Sequence, residues 1–328
     1  MFYVQFDEKV EEIMKLSIVV PVYFNEENLP VLYDDIKEKI IDKIDYDYEI
    51  VMVNDGSKDK SYDVIMELSK KDKNIVPVSL SRNFGSHAAI LCGLSYATGD
   101  CIAVKAADLQ EPTELLLEMV DKWKEGNNVV LAVREGREEG FGQVLFANMY
   151  YGLVRKTSLP NMPKNGFDVW LVDKKVRDVL LALDETNSSI TGQILWSGFR
   201  TAEVPYVRKA REIGKSRWTL KKKIRLVADT LFSFSSVPIK IVTSLGIFSV
   251  LLSIIWAIVE LVVKLQGNID VEGWTMLFVF NLFSFGVIMF SIGILGEYMW
   301  RTFDSSRRRP PYIVEDEGNR RGETDKNN

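Results

Sequence analysis

Two aspartates that follow apolar runs are the first candidates for chemistry. Asp55 lies in VNDGS and Asp108 in AADLQEP. Asp55 can accept hydrogen bonds from the base or ribose of a nucleotide, and Gly56 allows close backbone approach. Asp108 precedes Gln110 and Glu111, where a hard cation that bridges a diphosphate would find oxygen ligands. Together the two acids predict a sugar-nucleotide site, although Asn-Asp-Gly-Ser alone is also an ordinary turn.

The composition restricts which side chains could do chemistry. The chain has 328 residues, 47% hydrophobic and 27% charged, which excludes a disordered or fibrous protein. A net charge of -5 gives no overall basic field, so we expect no nucleic-acid partner. Cys92, Cys101 and the single His87 are too few for a disulfide framework or a His-rich metal centre. Carboxylates, arginines and backbone groups are therefore expected to carry any reaction.

The elements that must position these residues follow from hydrophobic periodicity over residues 1 to about 200. The predicted strands are Ser17–Val20, Glu49–Val53, Ile75–Leu80 and Cys101–Lys105, and the predicted helices are 28–42, 61–70 and 86–98. This alternation predicts parallel βαβ units with helices on both faces of the sheet. Ligands of such sheets bind beyond the carboxyl ends of the strands. Polar motifs follow all four predicted strands, at residues 23–27, 54–57, 82–85 and 108–111, so they are expected to form one site.

Two long apolar stretches, Ile241–Val259 and Trp274–Gly296, contain no charged residue. Each is long enough to cross a bilayer as a helix, and the short link Lys264–Gly273 makes them a hairpin. Basic residues at Lys221–Arg225 and Arg307–Arg309 flank the hairpin, which predicts cytoplasmic flanks. A pair of buried core helices is the alternative. The first fourteen residues lack an apolar segment, so no signal peptide is expected.

Several motifs carry a resemblance to a known family. SIVVPVYFNEENLP, VNDGSKDKS, SRNFGSHAAILCGLSYATGD and AADLQEP resemble family 2 glycosyltransferases with the GT-A fold, and GILGEYMWRTFDSSRRRPPYIV is similar to the end of the bactoprenol glucosyltransferase branch. The resemblance extends from Leu16 to Val314 and includes dolichyl-phosphate mannosyltransferase-like enzymes. It implies an α/β fold with a Rossmann-like, mostly parallel GT-A sheet, followed by an interfacial amphipathic helix and a two-helix transmembrane hairpin.

The resemblance also implies a donor site. The residues implied to bind the nucleotide sugar are Pro21, Tyr23, Glu26, Asp55, Ser57, Arg82, Asn83, Asp108 and Gln110. Asp108 is implied as a catalytic residue and as the ligand of Mg2+ or Mn2+. The metal motif of the family is usually Asp-x-Asp, but Ala106 occupies its first position here, which leaves Asp108 as the acid of that motif.

The acceptor side is implied by further motifs. REIGKSRW resembles the Arg-x-x-Gly-x-Ser-x-Trp loop of the family, so Arg211 and Ser216 are implied to bind a lipid phosphate, together with Arg134 and Arg137 of AVREGREE. For the basic segment the alternative is a membrane-orientation signal that binds anionic lipid, and for Arg134 and Arg137 it is a solvated surface run. Asp168 resembles an acidic position near the acceptor. Because a phosphomonoester is already ionised at neutral pH, Asp168 is expected to be a positioning carboxylate or weak base, or else a structural hydrogen-bond acceptor.

The implied protein is an inverting hexosyltransferase of the bacterial cytoplasmic membrane that moves glucose from UDP-glucose to undecaprenyl phosphate. The expected partners are the nucleotide sugar, the polyprenyl phosphate, the membrane and, as a possibility, further copies of the chain. Other donors remain open, namely GDP-mannose, a UDP-N-acetylhexosamine or UDP-aminoarabinose, as does an inactive nucleotide-sugar-binding anchor. The expected divisions are a cytoplasmic catalytic domain (1–217), an amphipathic helix (218–236), two transmembrane helices (237–300) and a cytoplasmic tail (301–328) that is disordered after Val314.

Overall fold

The strands and helices follow the alternation of the sequence closely. The computed structural model describes residues 14–135, 141–183, 185, 188–208, 227, 229–266 and 274–318. The strands in these residues are β1 Lys15–Val22, β2 Asp47–Asn54, β3 Ile75–Leu80, β4 Cys101–Val104, β5 Val129–Arg134, β6 Phe167–Asp173, β7 Thr201–Tyr206 and β8 Val314–Asp316. The helices are α1 Asn28–Lys39, α2 Ser61–Lys71, α3 Ser86–Tyr96, α4 Leu115–Lys124, α5 Phe141–Thr157, α6 Lys174–Ala182, α7 Ile190–Trp196, α8 Val237–Leu265 and α9 Trp274–Ser306, with a 3-10 turn at Ile41–Lys43.

The strands form one sheet in the order β7-β5-β6-β4-β1-β2-β3-β8. Strands β4, β1, β2 and β3 are parallel, whereas β6 is antiparallel to both of its neighbours, β4 and β5. Strand β7 pairs parallel with β5. The predicted mostly parallel sheet is therefore confirmed. Because of these strand directions, the carboxyl ends of β1 to β5 and of β7 lie at the same edge of the sheet as the amino end of β6.

Side chains alternate between two buried clusters, one on each face of the sheet. In β1, Ile18 and Val20 belong to one cluster and Val19 to the other, because successive strand residues point to opposite faces. The first cluster contains residues of α1, α2 and α4, and the second contains residues of α3, α6 and α7. Fully burying one such aliphatic side chain contributes about 1.5–3 kcal/mol. The predicted helices on both faces are confirmed.

Local polar contacts fix where some helices begin. Asp173 ends β6 and caps α6, since its Oδ1 accepts a hydrogen bond from the backbone N of Lys175 at 2.9 Å. Its Oδ2 accepts a hydrogen bond from the indole of Trp123 in α4 at 2.9 Å. This one carboxylate therefore ties α4 and α6 to the same strand end.

Helices α8 and α9 are long, apolar and exposed. Their candidate membrane spans are Val237–Trp256 and Phe280–Ser306, with mean hydropathies of 2.0 and 1.7. By length and composition both can cross a bilayer, and none of either apolar window is buried inside the protein. The alternative of two buried core helices is therefore wrong. Two unburied apolar helices indicate that the protein associates with a membrane.

The membrane hairpin is joined to the rest of the chain through residues 229–234, which are helical. Arg301 of α9 donates hydrogen bonds to Asp229 at 2.8 Å and to Glu297 at 2.9 Å. Phe234 packs so closely on Gly192 of α7 that a Cβ there would lie 2.4 Å from its ring. These residues belong to the predicted amphipathic helix, of which residues 218–226 and 228 lie outside the described part of the chain.

The chain after the hairpin returns to the sheet. β8 pairs antiparallel with β3, and the backbone N of Ser81 donates to the carbonyl of Ile313 at 3.0 Å. The hydroxyl of Tyr312 donates to Ser95 Oγ at 3.0 Å. The expected disorder after Val314 is therefore wrong for residues 315–318. The physical reason is that β3 would otherwise be an edge strand with unpaired backbone groups, which a short polar segment can satisfy.

Candidate active site

The loops after β1 and β2 are tied to each other by side chains of the predicted donor site. The backbone N of Phe24 donates to Ser57 Oγ at 3.0 Å, and Glu26 Oε2 accepts from the backbone N of Lys60 at 2.7 Å. Phe24 has a φ of 56°, which is rare for a residue with a side chain. Its ring meets that of Tyr23 edge to face at 4.7 Å. The two loops are thus held against each other at the carboxyl edge of the sheet.

Asp55 organises the loop after β3. The Asp55 side chain is buried, and its two oxygens accept hydrogen bonds from the backbone N of Phe84 at 2.7 Å, the backbone N of Gly85 at 3.0 Å and Asn83 Nδ2 at 3.0 Å. Charge-assisted bonds of this kind are worth about twice those between neutral groups. Asp55 therefore positions the SRNFG loop, a task that its sequence motif does not reveal.

Gly56 explains how the second and third loops come so close. Its φ is 61°, and a Cβ at this position would lie 2.3 Å from the backbone carbon of Arg82. Another residue could not occupy this position without moving the loop after β3. The close approach that the structure shows is to the backbone of Arg82, whereas the expected approach of Gly56 to a nucleotide stays a prediction. The guanidinium of Arg82 in turn covers the ring of Phe84 at 3.9 Å.

The loop after β4 gathers oxygen atoms around one guanidinium. Arg208, two residues beyond β7, donates to Gln110 Oε1 at 2.7 Å and lies 3.9 Å from Asp108 Oδ2 and 3.6 Å from Glu111 Oε1. Leu109 adopts a φ of 58°, so the backbone turns sharply between Asp108 and Gln110. The sequence patterns gave no indication of this contact, because Arg208 lies 98 residues from Gln110 in the chain.

A buried lysine directly after β4 is hydrogen-bonded to a buried glutamate of this loop. Lys105 and Glu111 are 1% and 3% exposed, and Lys105 Nζ donates to the backbone O of Glu111 at 2.9 Å. Burial, and then the negative charge of Asp108, raises the pKa of Glu111 to about 7. Burial lowers the pKa of Lys105. Sequence reasoning missed Lys105, although a lysine that ends the apolar run IAVK is a signal for a buried charge.

Asp168 and Arg134, both predicted to lie on the acceptor side, are beside each other. Arg134 Nε donates to Asp168 Oδ2 at 2.5 Å, and Tyr206 donates its hydroxyl to the same oxygen at 2.9 Å. Although burial opposes it, the charge of Asp168 raises the pKa of Arg134. Burial and the charge of Asp168 also raise the pKa of Tyr206. The structure thus joins a predicted base and a predicted phosphate ligand in one ion pair.

Not every predicted site residue can be placed. Arg137, Arg211 and Ser216 lie outside the described residues. Pro21 pairs with Val53 near the carboxyl ends of β1 and β2, at the edge where the other predicted donor residues lie. Their roles in binding stay predictions.

The loop after β4 fits a divalent cation. In the described residues no three His, Cys, Asp or Glu side chains converge, so a metal held by protein ligands alone is not favoured there. Mg2+ and Mn2+ at phosphate sites, however, commonly need one or two carboxylates, with water and substrate oxygens completing the shell. Asp108 and Glu111 both face Arg208, and the buried Glu111 Oε2 has no hydrogen-bond partner. Such an oxygen suits a cation that arrives with a diphosphate.

Comparisons with known proteins add independent findings. The model of glycosyl transferase family 2 matches residues 17–178. An uncharacterised glycosyltransferase YkcC of Bacillus subtilis is 38% identical, over 92% of this chain and 94% of that protein. The bactoprenol glucosyl transferase of Shigella phage SfV is 37% identical, over 93% of this chain and 99% of that protein.

The chain belongs to glycosyl transferase family 2.

Membership confirms the family resemblance and the predicted GT-A fold class. Among solved structures, a mannosyltransferase of Pyrobaculum calidifontis in complex with GDP-mannose and Mn2+ is 19% identical, with a TM-score of 0.46, and the match covers 64% of this chain and 60% of that one. The region matched by the family 2 model ends within α6, so it includes Asp55, Asp108, Arg134 and Asp168. Arg208 lies beyond that region but within the longer alignments with the YkcC and SfV proteins, which cover 92% and 93% of this chain.

Proposed function

We propose that this family 2 glycosyltransferase transfers glucose from UDP-glucose to a polyprenyl phosphate, undecaprenyl phosphate in a bacterium, at the cytoplasmic face of the membrane. One observation carries the proposal. The likeness to a protein named bactoprenol glucosyl transferase covers 93% of the chain, so it includes the apolar helices α8 and α9 as well as the catalytic sheet. A lipid acceptor accounts for both parts, because the anchor keeps the site beside the membrane.

The donor is proposed to lie across the loops after β1, β2, β3 and β4. The nucleotide would contact the first three loops, whose mutual bonds through Ser57 and Asp55 leave them little freedom. The diphosphate would face Asp108, Gln110 and Glu111, where Mg2+ or Mn2+ would be held. There the cation supplies positive charge to the leaving nucleoside diphosphate.

The acceptor needs little activation. A phosphomonoester has a second pKa of about 6, so one of its oxygens is already a nucleophile at neutral pH. That oxygen attacks the anomeric carbon of glucose, the bond to the diphosphate breaks on the opposite side, and the configuration inverts. The protein then contributes mainly by positioning and by charge. Asp168 accordingly acts as a positioning carboxylate that holds Arg134 and Tyr206 at the edge of the site.

The membrane part is proposed to deliver the lipid to this edge. The flanks of the hairpin carry basic residues, which favours a cytoplasmic catalytic domain and cytoplasmic ends of the chain. The contact of Arg301 with Asp229, and the packing of Phe234 on Gly192, give the catalytic domain a fixed attachment to α9. The divisions at residues 217, 236 and 300 belong to the same proposal.

The test is to identify the lipid product. Purified full-length protein is given undecaprenyl phosphate and, in separate reactions, UDP-glucose, GDP-mannose, UDP-N-acetylglucosamine and UDP-aminoarabinose, and the lipids are analysed by mass spectrometry. Undecaprenyl-phospho-glucose formed from UDP-glucose supports the proposal. A different sugar on the lipid would correct the donor, and no product with any donor, despite nucleotide binding, would favour the inactive anchor.

A further inference from the structure

Arg208 holds an unusual position relative to the loop after β4. It follows the end of β7 by two residues. Its Nη2 atom makes the contacts with the side chains of Gln110, Asp108 and Glu111. One contact is a short hydrogen bond of 2.7 Å, whereas the two carboxylates lie at 3.9 and 3.6 Å. The buried Nε of Arg208 has no hydrogen-bond partner. The guanidinium is therefore held by charge and by one amide, with part of its donor capacity unused.

The oxygens that face Arg208 are the same ones that suit a divalent cation. A guanidinium and a divalent cation on the same two carboxylates would repel each other strongly at such distances, and the carboxylate charge cannot satisfy both. We propose that Arg208 and the metal compete for Asp108, Gln110 and Glu111, so that metal binding displaces Arg208 from the loop after β4. The inference rests on the proposed function in assuming that the metal binds there.

The contact geometry favours competition over a permanent structural ion pair. A permanent structural pair would be expected to resemble that of Arg134 with Asp168. There the guanidinium lies at hydrogen-bond distance from the carboxylate, and Tyr206 donates to the same oxygen. Arg208 makes no such bond to either carboxylate among the described contacts, and Glu111 Oε2 stays without a partner. Removing Arg208 should therefore cost little stability while it frees the metal loop.

The experiment measures Mn2+ affinity directly at a fixed concentration of UDP and without turnover, because the site is expected to complete the metal shell with diphosphate oxygens. A titration of UDP without protein is subtracted. Free Mn2+ is quantified by electron paramagnetic resonance during titration of the full-length protein in detergent. The variants are Arg208→Gln, which removes the charge, and Arg208→Lys, which keeps a charge without the planar fork. Arg200→Gln is the matched control, because exposed Arg200 immediately precedes the start of the same strand, β7, at the opposite edge of the sheet.

Arg208→Gln is expected to bind Mn2+ about fivefold more tightly than the wild type, with Arg208→Lys between the two and Arg200→Gln unchanged. Equal or weaker Mn2+ binding by Arg208→Gln would overturn the inference, and so would the absence of Mn2+ binding in all variants. The glycolipid assay is scored separately. Failure to form any glycolipid, with the affinity change present, would refute the proposed function and leave the competition standing.

Discussion

Arg134 and Asp168 form an ion pair at the carboxyl edge of the sheet although they lie on strands that run in opposite directions. Arg134 is the last residue of β5 and Asp168 the second of β6, so the reversal of β6 is what brings them together. Tyr206, the last residue of β7, completes the group through its bond to Asp168. Three strand termini thus meet on one carboxylate oxygen.

Asp168→Ala is expected to destabilise the protein by about 1–3 kcal/mol, because it leaves the largely buried Arg134 and the hydroxyl of Tyr206 without their shared acceptor. Chemical unfolding followed by fluorescence measures the change. The double variant Arg134→Gln, Asp168→Ala should lose less than the sum of the two single changes. Strict additivity would show that the ion pair is not coupled.

Asp108→Asn is expected to abolish sugar transfer while the melting temperature stays within a few degrees of the wild type, because the change removes a carboxylate that is proposed to face the diphosphate and its metal. Asp121→Asn, on the exposed surface of α4, is the control. EDTA should stop the wild type, and added Mg2+ or Mn2+ should restore it. Turnover undiminished by EDTA would contradict this prediction.

Asp55→Asn is expected to weaken UDP binding by about tenfold, because the amide can no longer accept all the hydrogen bonds that hold the loop after β3. Isothermal titration measures the affinity. Asp63→Asn, on the exposed side of α2, should leave it unchanged. Unaltered UDP binding by Asp55→Asn, with the protein folded, would mean that the loop does not contact the nucleotide.

Truncation after Pro311 is expected to lower the melting temperature and to weaken UDP binding, since it removes β8 and the bond from Ser81 to Ile313 just ahead of the loop after β3. Differential scanning fluorimetry and the same titration measure both effects. Truncation after Gly318 keeps the strand and is the matched control. Identical behaviour of the two truncations would show that β8 does not support the donor site.

Stability is expected to fall below about pH 6.5 partly because of His87. Burial lowers the pKa of His87 from 6.5 against the opposing charges of Glu185 and Asp229, so below that pH the unfolded chain takes up a proton that the folded chain resists. The contribution of His87 to the free energy of unfolding is fully present above pH 6.5. Below that pH it decreases by up to about 1.4 kcal/mol per pH unit. Melting temperatures at several pH values should show a shallower acid decline for His87→Gln. Parallel declines would contradict the prediction.

Much of the architecture follows from local sequence patterns. The β-branched runs ending at Val22, Asn54, Leu80 and Val104 alternate with helices of suitable length, which is enough to predict parallel units and a site at their carboxyl ends. The apolar stretches after residue 240 are likewise read from composition alone. Such patterns can be read locally, because the spacing of apolar residues within one element shows which of its faces contacts the core or the lipid.

Only the tertiary structure decided which side chains share a partner. The reversed direction of β6 places Asp168 beside Arg134, the end of β7 brings Arg208 to Asp108, and β3 pairs with β8 at Val314–Asp316. Each contact joins residues that lie 34 to more than 200 positions apart in the chain. Strand order and direction set these contacts, and hydrophobic periodicity carries no information about either, because it is the same for a strand in both directions.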